Sequence, residues 1–427
     1  MRRTAIDRCR RGLVVFALIL AGGAGVHAQA PTPEGEKAPP PLPDLTRLER
    51  FAKQPETPAE LWGAVDYLLR SEQPALAAPF LGAFLRSNPS DALLLQIRDE
   101  FGIGSVLRLQ DDPRTRPYAQ PRVDRITAAS NRLARDPQRI RRVIPSLTRT
   151  LDEQRVAIEQ LRAAGPYAVP YLVEALGHDE YSRSQKALIV ENMGRLDRTA
   201  VPALAAVLDA PDGLIAADAA SALGRIGDPR AIPFLTYPAA TPNETVVRGP
   251  ARRALTRLTG RDYAAQLVSP VRRLTDTARR YLTHQVEFPD GPVELWTWTE
   301  AGPAPRRVTR GEAEGYYGLK FARQALELDP NDRPAQTLLV ALSLQKAVER
   351  VGLAAFPARD PAGAYPMALA AGPAVLGDVL RLALAENLGD LAAAAAMALG
   401  RVTDRDALTV ETPVHPLVET LSAPDRR

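Results

Sequence analysis

The sequence predicts an all-α protein, an α-solenoid of stacked helical hairpins interrupted by one small β-hairpin. Three observations carry that expectation. Val169-Pro170-Tyr171-Leu172, Val201-Pro202-Ala203-Leu204 and Ile232-Pro233-Phe234-Leu235 place Pro170, Pro202 and Pro233 at intervals of 32 and 31 residues. Between them run alanine-rich stretches ending Met193-Gly194-Arg195-Leu196 and Leu223-Gly224-Arg225-Ile226, their glycines 30 residues apart. A single stretch, Val286 to Thr299, alternates its side chains with the period of a strand.

Composition sets the outer bounds. A chain of 427 residues with 45% apolar side chains buries a real core, which excludes wholesale disorder. One cysteine excludes a disulfide scaffold and a cysteine-ligated metal site. Because Cys9 falls in the segment expected to be removed, a cysteine nucleophile is excluded as well.

Taken from the front, residues 1–28 have the form of a signal peptide. Arg2, Arg3, Arg8, Arg10 and Arg11 precede an apolar run from Leu13 to Leu20, and Val26-His27-Ala28 supplies small residues for cleavage after Ala28. Residues 1–28 hold five arginines and one aspartate, so the rest balances 49 basic against 49 acidic side chains. The net charge of +4 therefore belongs to the targeting segment, and the electrostatic case for nucleic-acid binding falls away. Export to the periplasm, the cell envelope or the exterior is expected, with no membrane span after signal removal. Residues 29–44, PTPEGEKAPPPLP at their centre, read as a proline-rich linker.

Residues 45–102 form an expected helical domain, with Leu61 to Leu69 and Leu76 to Ala92 as successive amphipathic helices. Residues 103–139 read as a connector, irregular around Asp111-Asp112-Pro113, followed by a helix. Residues 140–283 hold the repeat array. Each unit is a short helix starting near a proline, a turn, and a second helix ending at glycine. Proline in the first turn forfeits no hydrogen bond, and glycine at the end takes the left-handed conformation that other residues resist. Ala217, Ala219, Ala220 and Ala222 keep the second helix thin. Neither helix buries its apolar stripe alone, so the units stack.

The run Ala222-Leu-Gly-Arg-Ile-Gly-Asp-Pro-Arg-Ala-Ile-Pro-Phe-Leu235 resembles the HEAT-like repeats of the phycobilisome-lyase type, in an exported bacterial envelope protein. It recurs at Ala398-Leu-Gly-Arg-Val-Thr-Asp-Arg-Asp-Ala-Leu408. The resemblance implies an arginine-to-aspartate ladder between second helices. Here Lys186 and Ala216 stand in its register, so apolar stacking is expected to carry the array.

Residues 284–308 are the expected β-hairpin, with Trp296 and Trp298 on one face of its strand. They either cover the ends of adjoining helices or form an aromatic patch for a partner. Residues 309–352, carried by Phe321-Ala-Arg-Gln-Ala-Leu-Glu-Leu-Asp-Pro330, resemble the close of a tetratricopeptide repeat, entered through a Thr309/Glu312 capping box. The front hairpins share that rhythm, and a generic helix-turn-helix fits them equally. Residues 353–427 read as a resumed HEAT-like unit ending in a half-repeat. Its open end is expected to be covered by further chain, a second copy through residues 413–427, or another protein.

No catalytic constellation emerges. His178, His284 and His415 are scattered, and Asp111-Asp112, Asp152-Glu153 and Asp179-Glu180 are adjacent pairs suited to solvated turns. No catalytic residue, metal ligand or cofactor is expected. Two basic groups, Arg132 to Arg149 and Arg252 to Arg261, read as solvated helix faces or as a seat for an acidic protein or polymer. The expected role is a non-enzymatic protein-interaction scaffold of the envelope. It would bind a protein, not a nucleic acid, through a concave face of second helices, anchored at Trp296, Trp298, Arg195 and Arg225. The competing reading is the recognition or sensor arm of an enzyme whose catalytic part lies beyond residue 427 or on a partner chain. A weaker one, carried by the resemblance, is chromophore attachment.

Overall fold

The structure is a computed structural model and describes residues 42–46, 53–242, 245–263, 268–360 and 363–402. The expected signal peptide, nearly all of the linker, and the half-repeat with residues 413–427 and His415 lie outside the described residues. The chain divides into two units, Met1–Val123 and Asp124–Arg427.

In the first unit, α1 (Pro58–Arg70) and α2 (Pro74–Arg86) fall in the two stretches read as helices, the second ending at Arg86 instead of Ala92, and α3 (Asp91–Phe101) is a further helix that the apolar spacing did not separate. Thr57 and Glu60 close a capping box on α1, and Ser90 caps α3. The Trp62 and Phe84 rings meet at 5.0 Å, tilted 54° to one another, in the core with Phe80. The buried Asp66 accepts from Arg70 at 2.8 Å and from Arg108, so its charge is paired on both oxygens. The connector is more helical than its prolines suggested. It contains α4 (Ile103–Leu107) and 3₁₀ turns at Arg108–Gln110 and Arg116–Tyr118, before α5 (Ala119–Ala134) begins. Pro117 lies in the first turn of its 3₁₀ segment, where a missing N–H costs nothing.

The second unit is built from helix pairs. α6 (Pro137–Val143), prolonged by a 3₁₀ turn over Ile144–Thr148, pairs with α7 (Leu151–Ala164). Then come α8 (Val169–Gly177) with α9 (Arg183–Met193), α10 (Val201–Val207) with α11 (Gly213–Ile226), and α12 (Ile232–Ala240) with α13 (Thr245–Thr259). Pro170, Pro202 and Pro233 all stand in the first turn of their helices. Asp197 and Asp228 cap the 3₁₀ turns ahead of α10 and α12 by accepting from Thr199 N and Arg230 N. One apolar cluster runs from Ile140 through Leu172, Leu204 and Leu235 to Leu255.

The repeat glycines do a different job from the one expected. Gly194 has φ −68°, and Gly224 lies inside α11; neither is left-handed. Gly227 takes that role, at φ +77°. Gly194 and Gly224 instead let second helices approach. A Cβ on Gly194 would stand 2.5 Å from Arg225 Cβ, and one on Gly224 would stand 2.7 Å from Ala254 Cα. Polar links between pairs run to backbone carbonyls: Arg162 donates to Arg195 O at 2.6 and 2.8 Å, Asn192 to Leu147 O at 3.1 Å, and Arg230 to Arg198 O at 3.1 Å.

After α13 come α14 (Pro270–Leu282), the hairpin of β1 (Val293–Thr299) and β2 (Gly302–Val308), α15 (Arg310–Leu328), α16 (Arg333–Val351), α17 (Ala364–Ala370), α18 (Gly372–Ala385) and α19 (Gly389–Val402). Residues 270–282, expected to close the array, belong elsewhere. Leu274, Ala278, Tyr281 and Leu282 of α14 join a second cluster shared with α15, α16, α18 and α19. The Thr309/Glu312 capping box opens α15 as expected. The strands turn at Glu300-Ala301, with Thr299 opposite Gly302; Asp290-Gly291 lies ahead of β1. Pro303 and Pro305 stand opposite Trp298 and Trp296, positions where a two-stranded ladder tolerates a missing donor.

This hairpin is a two-sided wedge. Trp296 and Trp298 pack into the array cluster, while Val293, Leu295 and Val308 pack into the second. α12 is two-sided as well, with Leu235 and Ala239 in the first cluster and Phe234 and Tyr237 against the second. Lys320 donates to Asp209 at 2.5 and 2.8 Å, and Tyr237 donates to Glu327. The first helices α8 and α10 thus lie under the hairpin, and α12 lies under α14 and α15. Among the described residues no single helix is long and apolar enough to cross a membrane.

Candidate partner-binding surface

With the first helices covered, the second helices α9, α11 and α13 present the array's other side. α11 is positioned by Asp212, whose carboxylate accepts from Leu214 N at 2.8 Å, and ends at the left-handed Gly227. Its alanines 216, 217, 219, 220 and 222 are buried. What remains outward is Leu214, Asp218, Ser221 and Arg225, the i, i+4, i+7, i+11 spacing of one helical stripe. α13 repeats that spacing 32 residues on with Val246, Pro250, Arg253 and Arg257. Ser221, Arg225, Pro250, Arg253, Ala254 and Arg257 line a cleft between the two helices.

The cleft occupies the arginine end of the two aligned stripes, which are polarised along their length. At one end Leu214 and Val246 are 66% and 48% exposed, unusual for such side chains. At the other stand three exposed guanidinium groups, Arg225, Arg253 and Arg257, and none of them forms an ion pair among the described residues. Arg252 is tied back, donating to Ala239 O at 2.9 Å and lying 4.8 Å over the Tyr263 ring. Midway, desolvation and then the nearby Asp212 charge push the Asp218 carboxyl up to about 6.

Of the residues singled out in the sequence, Arg225 lines this cleft, its aliphatic stem across Gly194. Arg195 lines the preceding cleft with Leu151, Asp152, Arg155, Ile158, Glu159 and Arg162. There the charges are internally matched: Arg195 to Glu191 and Arg155 to Asp152, both at 3.1 Å. Trp296 is a correction. It is 3% exposed and meets Tyr167 edge-on at 5.5 Å, so it is core and offers no surface; Trp298 is partly buried against the same cluster. Of the two readings of this shared face, the cover over adjoining helices is the one the burial of Trp296 supports, and the exposed partner patch is not. Leu214, Val246, Asp218 and Ser221 were missed, and the signal that identifies them is the matched spacing of the two stripes.

Three arginines of the basic group before the array are engaged locally. Arg135 lies 4.1 Å over Tyr167, Arg141 pairs with Glu174 at 3.1 Å, and Arg149 pairs with Glu153 at 3.3 Å. His178 stands exposed, 3.9 Å from Glu174, and His284 bonds the buried Glu314 at 2.6 Å beside Arg310. Among the described residues no group of three or more histidines, cysteines or acids is placed to hold a metal. Asp152 and Glu153 go to an ion pair and a helix cap.

Residues 169–256, from the start of α8 into α13, match the family model of HEAT repeats. This stretch is a HEAT-like array, and the fold is an α-solenoid with a small two-stranded insertion. No curated protein matches the chain in sequence.

Proposed function

We propose that this chain is a non-enzymatic scaffold of the bacterial envelope that binds a protein partner through its second helices. HEAT repeats generally serve as protein-interaction scaffolds, which gives the class of role. The observation that carries the choice of face is asymmetric cover. The hairpin and the α14–α15 helices occupy the first-helix row, leaving α9, α11 and α13 with outward side chains and uncompensated arginines. The basic start and small-residue exit of residues 1–28 support an exported location.

The test is site-specific photo-cross-linking in the native envelope. A photoreactive residue replaces Ala187 on α9, Ser221 on α11 or, as control, the exposed Arg323 on α15. One protein adduct of fixed mass is expected from the first two positions and not from the third. Equal adducts from Arg323, or none from α9 and α11, would overturn the choice of face. Recovery of a chain beginning at Gln29 in the envelope fraction is the expected result for location, and an uncleaved cytoplasmic chain is the contrary one.

A further inference from the structure

We propose that the outer face of the α11–α13 pair binds an extended acidic segment of the partner, its carboxylates in the cleft at Arg225, Arg253 and Arg257 and an apolar side chain farther along the two stripes at Leu214 and Val246. The inference rests on the scaffold reading and adds the chemistry of what is bound.

Charge complementarity fixes the sign. Three guanidinium groups within two helical turns repel one another, and none finds a carboxylate among the described residues. Guanidinium binds planar carboxylates in bidentate fashion, so an acidic segment relieves both conditions. Position fixes the polarity. Asp218 repels an acid placed near the middle, so the acidic residues belong at the Ser221–Arg257 end and the neutral portion at the Leu214–Val246 end. Length fixes the spacing. From Leu214 to Arg225 is eleven residues of helix, roughly 16 Å at 1.5 Å each, which about five extended residues span at ~3.3 Å each.

A nucleic acid fits less well. No aromatic side chain lines the cleft for base stacking, and the far end of the two stripes is aliphatic. The neighbouring α7–α9 cleft, with its matched charges, supplies an internal contrast of similar construction but no net demand.

Fluorescence anisotropy of the full chain tests this with four defined probes. These are a labelled peptide of one leucine, a three-residue glycine-serine spacer and three glutamates; its trilysine counterpart; its leucine-to-serine counterpart; and a ten-nucleotide oligouridylate. The glutamate peptide is expected to bind best. Affinity should fall at least tenfold in the Arg225→Glu/Arg253→Glu/Arg257→Glu variant, whose exposed positions leave the fold intact by circular dichroism. Loss of the leucine should weaken binding severalfold, and Leu214→Ser should do the same. No binding of the glutamate peptide, equal binding to the triple variant, or tighter binding of the oligouridylate overturns the proposal.

The photo-adduct at Ser221 separates this from the parent reading. If a protein adduct forms and excess glutamate peptide does not compete it away, the scaffold stands and the acidic-segment chemistry falls. If no adduct forms from either second helix, the scaffold reading itself falls.

Discussion

Gly224 and Ala254 hold α11 and α13 at backbone contact: a Cβ added to Gly224 would stand 2.6 Å from Ala254 Cβ and 2.7 Å from its Cα. Neither atom swings aside, so Gly224→Ala must push the helices apart. A cost of about 1–3 kcal/mol is expected from overpacking. Gly177, at the end of α8 with nothing within 4 Å of its would-be Cβ, is the control. There alanine restricts the unfolded chain and is expected to be neutral or to gain ~0.4–1 kcal/mol. Urea unfolding of both variants decides it; equal midpoints would mean that the close approach does not constrain the array.

The burial of Trp296 yields a stability prediction, deciding between the covering and binding roles that the sequence left open. Trp296→Ala removes a fully covered ring and its edge contact with Tyr167, whose hydroxyl donates to Glu294 at 2.5 Å. The expected cost is about 3–5 kcal/mol, with less than half of that for the partly exposed Trp298→Ala. Thermal unfolding of the two variants checks the order. A tolerated Trp296→Ala would show that the hairpin contributes nothing to the array core.

The repeats were legible because each depends on local punctuation: Pro170, Pro202 and Pro233 sit where a missing donor is free, and the alanines of α11 are small for a reason visible in their spacing. Which glycine served which purpose was not. Gly224 and Gly227 stand three residues apart in one motif, and only the path of α13 decides that the first is a contact and the second a cap. The hairpin was legible as a strand pair, but β1 is covered on both faces, so alternation alone could not decide between Trp296 as cover for the helices and as a surface patch. Arg225 was legible as a repeated motif residue. The face it belongs to was not, because Leu214 and Val246 become partners only when α11 and α13 align 32 residues apart.

Thr309 supplies a clean local test of the second cluster. Its N–H donates to Glu312 Oε2 at 2.8 Å, and its hydroxyl accepts from Glu312 N at 3.2 Å, closing both ends of the box that starts α15. Thr309→Ala is expected to cost about 1 kcal/mol, and Thr309→Ser to recover most of it. If alanine and serine melt together, the hydroxyl is not what holds the helix start.

Asp218 gives the pH prediction. Its carboxyl releases its proton at about 6 in the folded protein, against an ordinary value of 3.8. Between those values the folded state binds more protons than the unfolded one, so this group's contribution to stability falls as pH rises from about 4 to about 6 and stays low above. Below pH 4 both states are neutral there, and the residue no longer penalises folding. Asp218→Asn removes the titration without changing the side chain's shape. The variant should therefore melt above the wild type at pH 7.5, with the gap narrowing to near zero by pH 4. All other carboxylates are common to both proteins and cancel in the difference. A melting-temperature gap of the same size at both pH values would show that Asp218 titrates as an ordinary surface acid, and that no charge penalty sits midway along the α11 stripe.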